Sequence, residues 1–385
     1  MIVPTNMYVL THLPWDGAFQ RPQQLIAQFI AQFGTEVTVI EEPWWMRPGG
    51  RVQWAQDPLC LNPKVMRPVL YPQDGSIDAE VVHTPELTEQ NVQCYRELLR
   101  KFLATKGGSY ILWVYSPVAY WYLRDIFNPS VLVYDKMDDH EGFNDAPKKL
   151  IRKAEGDLLK NADVVFTGGH TMHNTVVSRR PKNKPIICYP SGVNVEHFAR
   201  AINYKGELPA DIANMPGPII GYFGVLDERI DRKSLAYMAT MRPDWQFVMI
   251  GPFAKVTKED FPEAPNIHYL GQKSMEILPG YLSRFTVATV LFVMSKATIN
   301  LSPTKTLEYF AARKPVVSAP ISDVKIDCGE AVRFASTPEE WLLQVEACIN
   351  HPSLTMVDSG EDIAIARQWF HTAFNMMKNL EAVVK

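Results

Sequence analysis

Short apolar runs bounded by turn residues recur through the first half of the chain. They are almost continuously hydrophobic, as strands covered on both faces of a sheet should be. The runs lie at 7–13, 36–42, 109–116, 131–139 and 162–169. Segments with helical spacing, 21–33 and 146–162, lie between several of them. Strand followed by helix, repeated in this way, predicts a parallel sheet with helices on both faces.

The same pattern of apolar runs begins again after a polar, proline-containing stretch at 196–218. Further apolar runs lie at 217–228, 245–253, 266–271, 287–294 and 314–319. At 385 residues the chain is long enough for about two domains. We therefore predict an α/β protein of two Rossmann-like domains, 1–200 and 201–365, each a doubly wound parallel sheet. The carboxyl ends of both sheets are expected to face a ligand cleft.

Two stretches depart from this rhythm. Residues 43–80 are interrupted by Pro, Trp and Gly, and we predict an irregular excursion at the edge of the first sheet. Apolar positions at 362–384 are spaced for one buried helix face, which predicts a single last helix. Its residues 366–385 are expected to cross back to the first domain.

Composition narrows the class of protein. Hydrophobic residues make up 46% and charged residues 21%, which excludes wholesale disorder. The formal net charge of −3 gives no indication of a nucleic-acid partner. Five widely separated cysteines indicate neither a disulfide framework nor a zinc site. We expect a cytoplasmic protein, and its nine Trp and fifteen Tyr allow peripheral association with the inner face of a membrane.

The stretch "SPTKTLEYFAARKPVV", residues 302–317, predicts a helix that begins beside an anion. With Ser302 as N-cap and Pro303 at the first helical position, Lys305 falls where unpaired N–H groups already carry positive charge. A bound phosphate would make that lysine favourable, and Glu308 could accept hydrogen bonds from two sugar hydroxyls. Together these features describe a nucleotide site. The alternative is that Ser302 only caps the helix while Lys305 and Glu308 pair with each other.

This stretch resembles the donor-binding segment of bacterial GT-B glycosyltransferases, whose usual form is similar to S-P-x-K-x-x-E-Y-x-A-A-G-K-P-V-V. Other stretches resemble the transferases of teichuronic-acid and related surface-polysaccharide pathways, in family order. They are 13–25, 133–143, 162–169, 189–198, 221–231 and 302–324. The resemblance implies an N-terminal acceptor domain and a C-terminal donor domain. It also implies metal-independent transfer, without a cofactor, from a nucleotide-sugar, most simply a UDP-sugar, to a glycan or lipid-linked acceptor.

The resemblance also implies which residues hold the donor. They are Gly224, Tyr269, Gly271, Ser302, Thr304, Lys305 and Glu308. Glu308 would bind the ribose, and the residues from Ser302 to Lys305 would bind the diphosphate. In "GYFGVLDERID", the glycines at 221 and 224 would let the ligand approach the backbone. Tyr269 and Gly271 would face the base.

Arg229 in that segment would act with Lys305 on the diphosphate that leaves, whose negative charge grows in the transition state. The alternative is that Arg229 pairs with Asp227 or Asp231 on a solvated turn.

The acceptor hydroxyl must lose a proton, and "VYDKMDDHEGF" supplies candidate bases. We predict Asp138 as the general base, with His140 second. The alternative is that this polar cluster caps the next helix. The first strand-to-helix turn offers further residues for the acceptor or phosphate side, which are Asp16, Gly17, Gln20 and Arg21. Arg21 suits an anionic group, either the donor phosphates or a lipid-linked acceptor.

Three residues depart from the family pattern. Arg313 stands where relatives have a glycine that is often left-handed. Ile299 stands where close relatives carry arginine, and Asn300 where many retaining enzymes are acidic. These departures leave open that the chain is a non-catalytic partner in a polysaccharide-synthesis complex. A nucleotide-sugar epimerase is a second alternative, because that activity also occurs on this two-domain architecture. The histidines of "GGHTMHN", His170 and His173, are not expected to bind a metal.

Overall fold

The computed structural model describes residues 4–15, 20–42, 44–45, 51–55, 63–70, 89–142, 147–295, 298–299 and 301–384. The chain forms two compact units. Unit 1 comprises Met1–Pro190 and Trp369–Lys385, and unit 2 comprises Ser191–Gln368. The division thus falls at 190–191 rather than at the predicted 200–201. Two features place these ten residues in unit 2: Val193 pairs with Gln368 in a β-bridge, and Phe198 is buried in the unit 2 core.

The described residues contain fifteen strands and fourteen α-helices. The strands are β1 (Asn6–Thr11), β2 (Glu36–Glu41), β3 (Trp44–Trp45), β4 (Arg51–Ala55), β5 (Lys64–Leu70), β6 (Tyr110–Val114), β7 (Val131–Lys136), β8 (Val164–Thr167), β9 (Ile186–Cys188), β10 (Ile219–Phe223), β11 (Gln246–Ile250), β12 (Ile267–Tyr269), β13 (Val287–Val290), β14 (Val316–Ser318) and β15 (Val332–Phe334). The helices are α1 (Arg21–Phe33), α2 (Glu89–Ala104), α3 (Pro117–Leu123), α4 (Lys148–Asn161), α5 (His170–Val176), α6 (Val195–Ala199), α7 (Ala210–Ala213), α8 (Arg232–Met241), α9 (Leu278–Arg284), α10 (Thr304–Ala311), α11 (Ser322–Cys328), α12 (Pro338–Asn350), α13 (Leu354–Ala366) and α14 (Trp369–Val384).

The sheet of unit 1 has the strand order β3-β5-β2-β1-β6-β7-β8-β9, with every neighbouring pair parallel. β4 pairs with β5 in the antiparallel direction. Residues 44–70 therefore hold three strands, so the predicted irregular excursion is wrong for the part that the structure describes. Pro68 lies opposite Val52 of β4, beyond the residues of β5 that pair with β2, so its missing N–H does not interrupt the pairing of β5 with β2.

Alternating side chains of the unit 1 strands enter two separate cores. Val9 belongs to the core that also contains residues of α1 and α14, whereas the adjacent Tyr8 belongs to the core with α2, α3 and α4. Because successive side chains of a strand point to opposite faces, helices cover both faces of this sheet. The predicted doubly wound arrangement is confirmed for unit 1.

The sheet of unit 2 is fully parallel, with the order β12-β11-β10-β13-β14-β15. Its strand order reverses between β10 and β13, and the corresponding reversal in unit 1 lies between β1 and β6. Loops leave such a switch point in opposite directions, so a crevice opens at the carboxyl ends of the two strands. Each unit therefore provides one place where a ligand site is expected.

The predicted last helix is divided in two. α13 ends at Ala366 and α14 begins at Trp369, so the prediction of one helix over 362–384 is wrong. Arg367 makes the break, because its carbonyl accepts a hydrogen bond from the N–H of Val193 while its guanidinium binds Asp327 at 2.5 and 2.7 Å. α13 lies in unit 2 and α14 in unit 1. No helix within the described ranges has the length and apolar run needed to cross a bilayer.

Gly221 has a packing role rather than the predicted ligand-facing one. It lies inside β10, and a Cβ built there would lie 2.0 Å from the ring of Phe285. Phe285 is buried in the unit 2 core, so this contact closes the core beneath β10.

We expect Gly221→Ala to lower the free energy of unfolding by about 1–3 kcal/mol, because the added methyl displaces the Phe285 ring. Urea unfolding measures the change. Gly107→Ala is the control, since a Cβ at Gly107 meets nothing within 4 Å. Equal stability of both variants would contradict the packing role of Gly221.

Candidate functional site

The N-terminus of α10 differs from its predicted form. The helix begins at Thr304, and Pro303 occupies the N-cap position with an extended ψ of 117°. No side chain caps this end, so Ser302 is not the N-cap that the sequence predicted. The carbonyl of Ser302 instead accepts a hydrogen bond of 2.9 Å from the Ser191 hydroxyl. Lys305 still lies in the first helical turn, as predicted.

Lys305 extends towards the end of β10. Its Nζ lies 5.3 Å from the centre of the Tyr222 ring and 5.0 Å from that of Phe292. Gly224 lies beside the lysine, because a Cβ added there would come within 3.0 Å of Lys305 Cε. The φ of Gly224 is 138°, which disfavours other residues. The structure thus brings together Gly224 and Lys305, and the glycine leaves room for the lysine side chain.

The charges of Lys305 and Glu308 are both destabilised by burial. Burial lowers the pKa of Lys305 to about 8, an effect that Glu308 opposes and Arg229 reinforces. Burial likewise raises the pKa of Glu308 to about 7, with Lys305 opposing the shift. Both side chains keep part of their surface exposed. The Lys305 ammonium is partly buried at a helix N-terminus, where the backbone N–H groups add positive charge. An anionic ligand bound there would stabilise the charged form of this lysine.

Arg229 makes the ion pair with Asp227 that the sequence left open as an alternative. Its Nε lies 2.9 Å from both carboxylate oxygens, and its Nη2 lies 2.6 Å from one of them. Asp231, the other suggested partner, caps α8 through the Ser234 N–H. The Arg229 side chain is 32% exposed and lies over the Phe292 ring at 5.6 Å. Arg229 and Lys305 therefore share Phe292, and Asp227 fixes the guanidinium.

Tyr269 and Gly271 have structural contacts of their own. The Tyr269 hydroxyl donates to the Pro262 carbonyl at 2.8 Å, and its ring packs against Phe253 and Phe261. The Gly271 carbonyl accepts a hydrogen bond from the Gly251 N–H. The contacts of Tyr269 join β12 to neighbouring segments. Gly271 instead adjoins Gly251, and Gly251 lies against the Gly224 carbonyl, since a Cβ built on Gly251 would be 1.9 Å from that oxygen.

The departure at Arg313 is accommodated locally. Its φ is 53°, which confirms the left-handed position expected at the end of α10. The guanidinium binds Asp358 at 2.6 Å and also Glu361, both on α13. These ion pairs accompany the packing of α10 on α13, so an arginine at this position anchors α10 to α13. Ile299 is 43% exposed, and Asn300 lies outside the described residues.

A second cluster forms at the switch point of unit 1. His12 directly follows β1, and Asp138 and His140 follow β7. His12 Nε2 lies 3.3 Å from Asp138 Oδ2, and the His12 and His140 rings are nearly perpendicular with centres 4.6 Å apart. His140 Nε2 lies 3.1 Å from the carbonyl of Tyr115, at the end of β6. The structure thus brings together the two predicted bases and adds His12.

The pKa shifts of Asp138 and His140 indicate different roles for the two side chains. Burial raises the pKa of Asp138, but the hydrogen bond from His12 and nearby positive charge, including that of Lys136, outweigh this effect and leave the pKa below its usual value. Burial is the main cause that lowers the pKa of His140 to about 3. Near neutral pH, Asp138 is therefore ionised and His140 is uncharged. The alternative that Asp138 caps the next α-helix does not hold, because α4 begins after Pro147 without a side-chain cap.

Sequence reasoning missed His12 as a member of this cluster. It is the first residue after β1, beside the switch point, and that position was the signal that could have found it. What the sequence could not give is its partner, which lies more than a hundred residues away.

Of the other predicted residues on this side, the structure describes Gln20 and Arg21, and both have partners outside the cluster. Arg21 is 5% exposed, binds Asp135 through Nε and Nη2, and donates from Nη1 to the Tyr189 carbonyl at 2.7 Å. Its guanidinium is committed to the protein, so the predicted anion-binding role is replaced by a structural one. The Gln20 N–H donates to Gln23 Oε1 at the start of α1. Asp16 and Gly17 lie outside the described residues.

Comparisons with known proteins agree with this architecture. No family model matches the chain. A curated relative, "Putative teichuronic acid biosynthesis glycosyltransferase TuaH" of Bacillus subtilis (strain 168), is 24% identical over 174 residues. The matched segment covers 44% of this chain and 43% of that relative.

Solved structures match nearly the whole chain. Sucrose-phosphate synthase from Thermosynechococcus elongatus superposes with a TM-score of 0.71 at 16% identity, covering 98% of each chain. The E. coli trehalose-6-phosphate structure bound with UDP-2-fluoro glucose gives 0.69 at 13%, covering 97% of this chain and 98% of its own. Anabaena Alr3699/HepE in complex with UDP and glucose gives 0.66 at 12%, covering 97% and 99%. At these identities the likeness defines the fold, and it confirms the GT-B architecture that the sequence predicted.

Proposed function

We propose that the chain is a glycosyltransferase that moves a sugar from a nucleoside-diphosphate donor to a hydroxyl of a glycan or lipid-linked acceptor. The observation that carries this proposal is the group formed by Lys305, Glu308 and Arg229 at the switch point of unit 2. A desolvated lysine at a helix N-terminus suits a diphosphate. The carboxylate one turn along the same helix suits a ribose.

The cationic groups would bind the diphosphate of the donor, and the carboxylate would bind its ribose. Lys305 and the free N–H groups of the first turn of α10, which includes Thr304, would bind the diphosphate. Arg229 would add its remaining guanidinium nitrogen, because Asp227 uses Nε and Nη2. Glu308, once ionised, would accept two hydrogen bonds from ribose hydroxyls. A uridine nucleotide is the proposed donor, supported by the UDP-containing ligands of two structures of similar fold.

The proposed transfer reaction needs only the donor, the acceptor hydroxyl and the side chains named here. The bond between the sugar C1 and the diphosphate oxygen breaks, and a bond from C1 to the acceptor oxygen forms. The leaving diphosphate gains negative charge, which Lys305 and Arg229 stabilise from fixed positions. The hydroxyl proton passes to the Asp138 carboxylate, which is ionised and 31% exposed. This proposal assigns charge compensation to side chains and calls for no metal or cofactor.

Surface-polysaccharide synthesis is the proposed setting, supported by the name of the curated relative. An epimerase would need the donor site but no acceptor, and a non-catalytic partner would need neither. In the described part of the chain, the ionised Asp138 beside His12 favours transfer to an acceptor, because a hydroxyl nucleophile needs a base.

We also propose that α4 faces an anionic membrane surface where a lipid-linked acceptor would lie. Its exposed cations are Lys148, Lys149, Arg152, Lys153 and Lys160. Beside them, Trp121 lies between Arg124, whose guanidinium is 3.5 Å from the ring centre, and Lys153, whose Nζ is 4.7 Å from it. Clustered cations next to a partly exposed tryptophan suit anionic headgroups.

Nucleotide binding tests the donor site. We expect calorimetric titration with UDP, GDP and dTDP to show tight binding of UDP, weakened at least tenfold by Glu308→Ala because hydrogen bonds to a charged carboxylate are lost. Binding at pH 8 should also take up protons, because the diphosphate raises the pKa of Lys305 from about 8. Titrations in buffers of different ionisation enthalpy measure this uptake.

The control for that titration is Glu330→Ala, which removes an exposed carboxylate from the same unit. It should bind UDP like the parent protein. If no nucleotide binds, or if both variants bind equally well, the assignment of Glu308 is wrong.

Turnover tests the acceptor side. We expect Asp138→Asn to bind UDP normally but to lose transfer at least 100-fold, because the amide cannot accept the hydroxyl proton. UDP release from UDP-sugars, with oligosaccharide and lipid-linked sugar acceptors, measures the rate. Asp139→Asn changes the exposed neighbouring carboxylate and should retain activity. Conversion of the donor alone into a sugar isomer would instead establish the epimerase alternative.

Vesicle binding tests the α4 surface. We expect sedimentation with vesicles containing anionic phosphatidylglycerol but not with pure phosphatidylcholine, and at least tenfold weaker binding when Lys148, Lys149 and Lys153 are changed to Glu. The matched control reverses three exposed lysines of unit 2, Lys233, Lys258 and Lys325. Absence of binding to anionic vesicles, or equal weakening by the control, would refute this surface.

A further inference from the structure

Three neighbouring strand ends meet around the acceptor-side carboxylate. β1 and β7 both pair with β6. The residue after β1 is His12, the residue after β6 is Tyr115, and the segment after β7 carries Asp138 and His140. Contacts between these segments join His12 to Asp138 and His140 to the Tyr115 carbonyl. The group is therefore held by backbone segments that follow three adjacent strands in the middle of the sheet.

The position of His140 follows from its backbone partner. A carbonyl oxygen can only accept a hydrogen bond, so the His140 nitrogen 3.1 Å from Tyr115 O must carry a proton. His140 is 7% exposed, and burial keeps it uncharged. Its perpendicular contact with the His12 ring then gives His12 a fixed, neutral neighbour.

The surroundings of His12 favour one orientation of its proton. Nε2 faces Asp138, whereas Nδ1 is buried and has no hydrogen-bond partner in the described structure. A doubly protonated ring would bury an N–H without an acceptor, which costs about 1–3 kcal/mol. The neutral ring with its proton on Nε2 avoids that cost and donates to Asp138.

The other charges around the pair are occupied elsewhere. They are Glu41 and Glu42 at the end of β2, Lys136 on β7 and Glu155 on α4. Glu41 accepts from the Trp15 N–H at 2.7 Å, and Glu42 accepts from the Ser116 hydroxyl. Lys136 binds Glu155 and also approaches the Asp138 carbonyl at 3.4 Å. His12 is consequently the group that contacts the Asp138 carboxylate itself.

We propose that His12 is the positioning residue of the acceptor-side base. Its Nε2–H holds one Asp138 oxygen, and the other oxygen is left to accept the proton of the substrate hydroxyl. This inference rests on the proposed function, because it gives Asp138 the role of base. His140 acts behind the pair as a neutral support for the His12 ring, rather than as a second base.

This arrangement has a consequence for pH dependence. Against the effect of burial, the hydrogen bond from His12 holds the pKa of Asp138 below its usual value. The carboxylate therefore stays ionised to lower pH than it would without the histidine. Removing the imidazole should raise the pKa of Asp138 and move the acid limb of the rate profile to higher pH, because a larger fraction of the base is then protonated.

The contact between His12 and Asp138 can be tested in the protein without a substrate. Nitrogen NMR of 15N-labelled histidines should show a neutral ring with a slowly exchanging Nε2–H, assigned to His12 by its loss in His12→Gln. Asp138→Asn should shift this signal and speed its exchange. His268→Gln is the control, because that histidine binds the Gln246 side chain in unit 2. An unchanged His12 signal in Asp138→Asn would overturn the proposal, whether or not the protein transfers sugar.

Transfer assays then test the role. His12→Gln keeps an N–H donor and should retain most of kcat, whereas His12→Ala should lose at least tenfold in kcat and shift the acid limb upward, with donor KM unchanged. If the two variants behave alike, or the acid limb of His12→Ala stays in place, His12 does not position the base. If the parent protein binds UDP but transfers no sugar, the proposed function fails while the NMR result still decides the contact.

Discussion

Parallel strand pairing with both faces covered is the constraint on which the rest of this protein depends. In unit 1, Tyr8 and Val9 point into separate apolar cores, and each core is covered by helices. A ligand therefore cannot reach the faces of this sheet at these positions. The charged side chains of the two candidate sites lie beyond the strand ends, whereas Thr38 and Thr289, two polar residues buried within strands, are uncharged. The acceptor-side cluster follows β1, β6 and β7, and the donor-side group follows β10 and β13. Each lies where the strand order reverses and a crevice results.

The carboxyl ends of the strands also carry ion pairs that only stabilise the fold. Arg21 and Asp135 join α1 to β7, and Lys136 joins β7 to Glu155 on α4. These pairs are buried, so breaking one would leave an uncompensated charge. They explain why a cation at a strand end is not by itself a ligand site. Lys305 differs, because its Nζ lies over the rings of Tyr222 and Phe292 and burial lowers its pKa to about 8, with only partial compensation from Glu308.

The sequence predicted what depends on local spacing and failed where distant residues decide. Nearly continuous apolar runs located most strands, and the i, i+3 spacing placed Lys305 and Glu308 on one helix. The partner of Arg21 lies 114 residues away, so its commitment to Asp135 could not be foreseen. The break at Arg367 has the same origin, since Asp327 and Val193 hold it from other elements. Ser302 failed as a cap for a local reason, because Pro303 keeps an extended ψ and delays the helix by one residue.

The charged side chains of the two candidate sites are affected in opposite ways by their surroundings. At the donor side, burial makes the Lys305 ammonium and the Glu308 carboxylate less stable, so each gains from a ligand that supplies phosphate or hydroxyl groups. At the acceptor side, a hydrogen bond from His12 makes the Asp138 carboxylate more stable than burial alone would allow. In the proposed function, binding energy is thus available for the donor at Lys305 and Glu308, and the proposed base, Asp138, is already ionised.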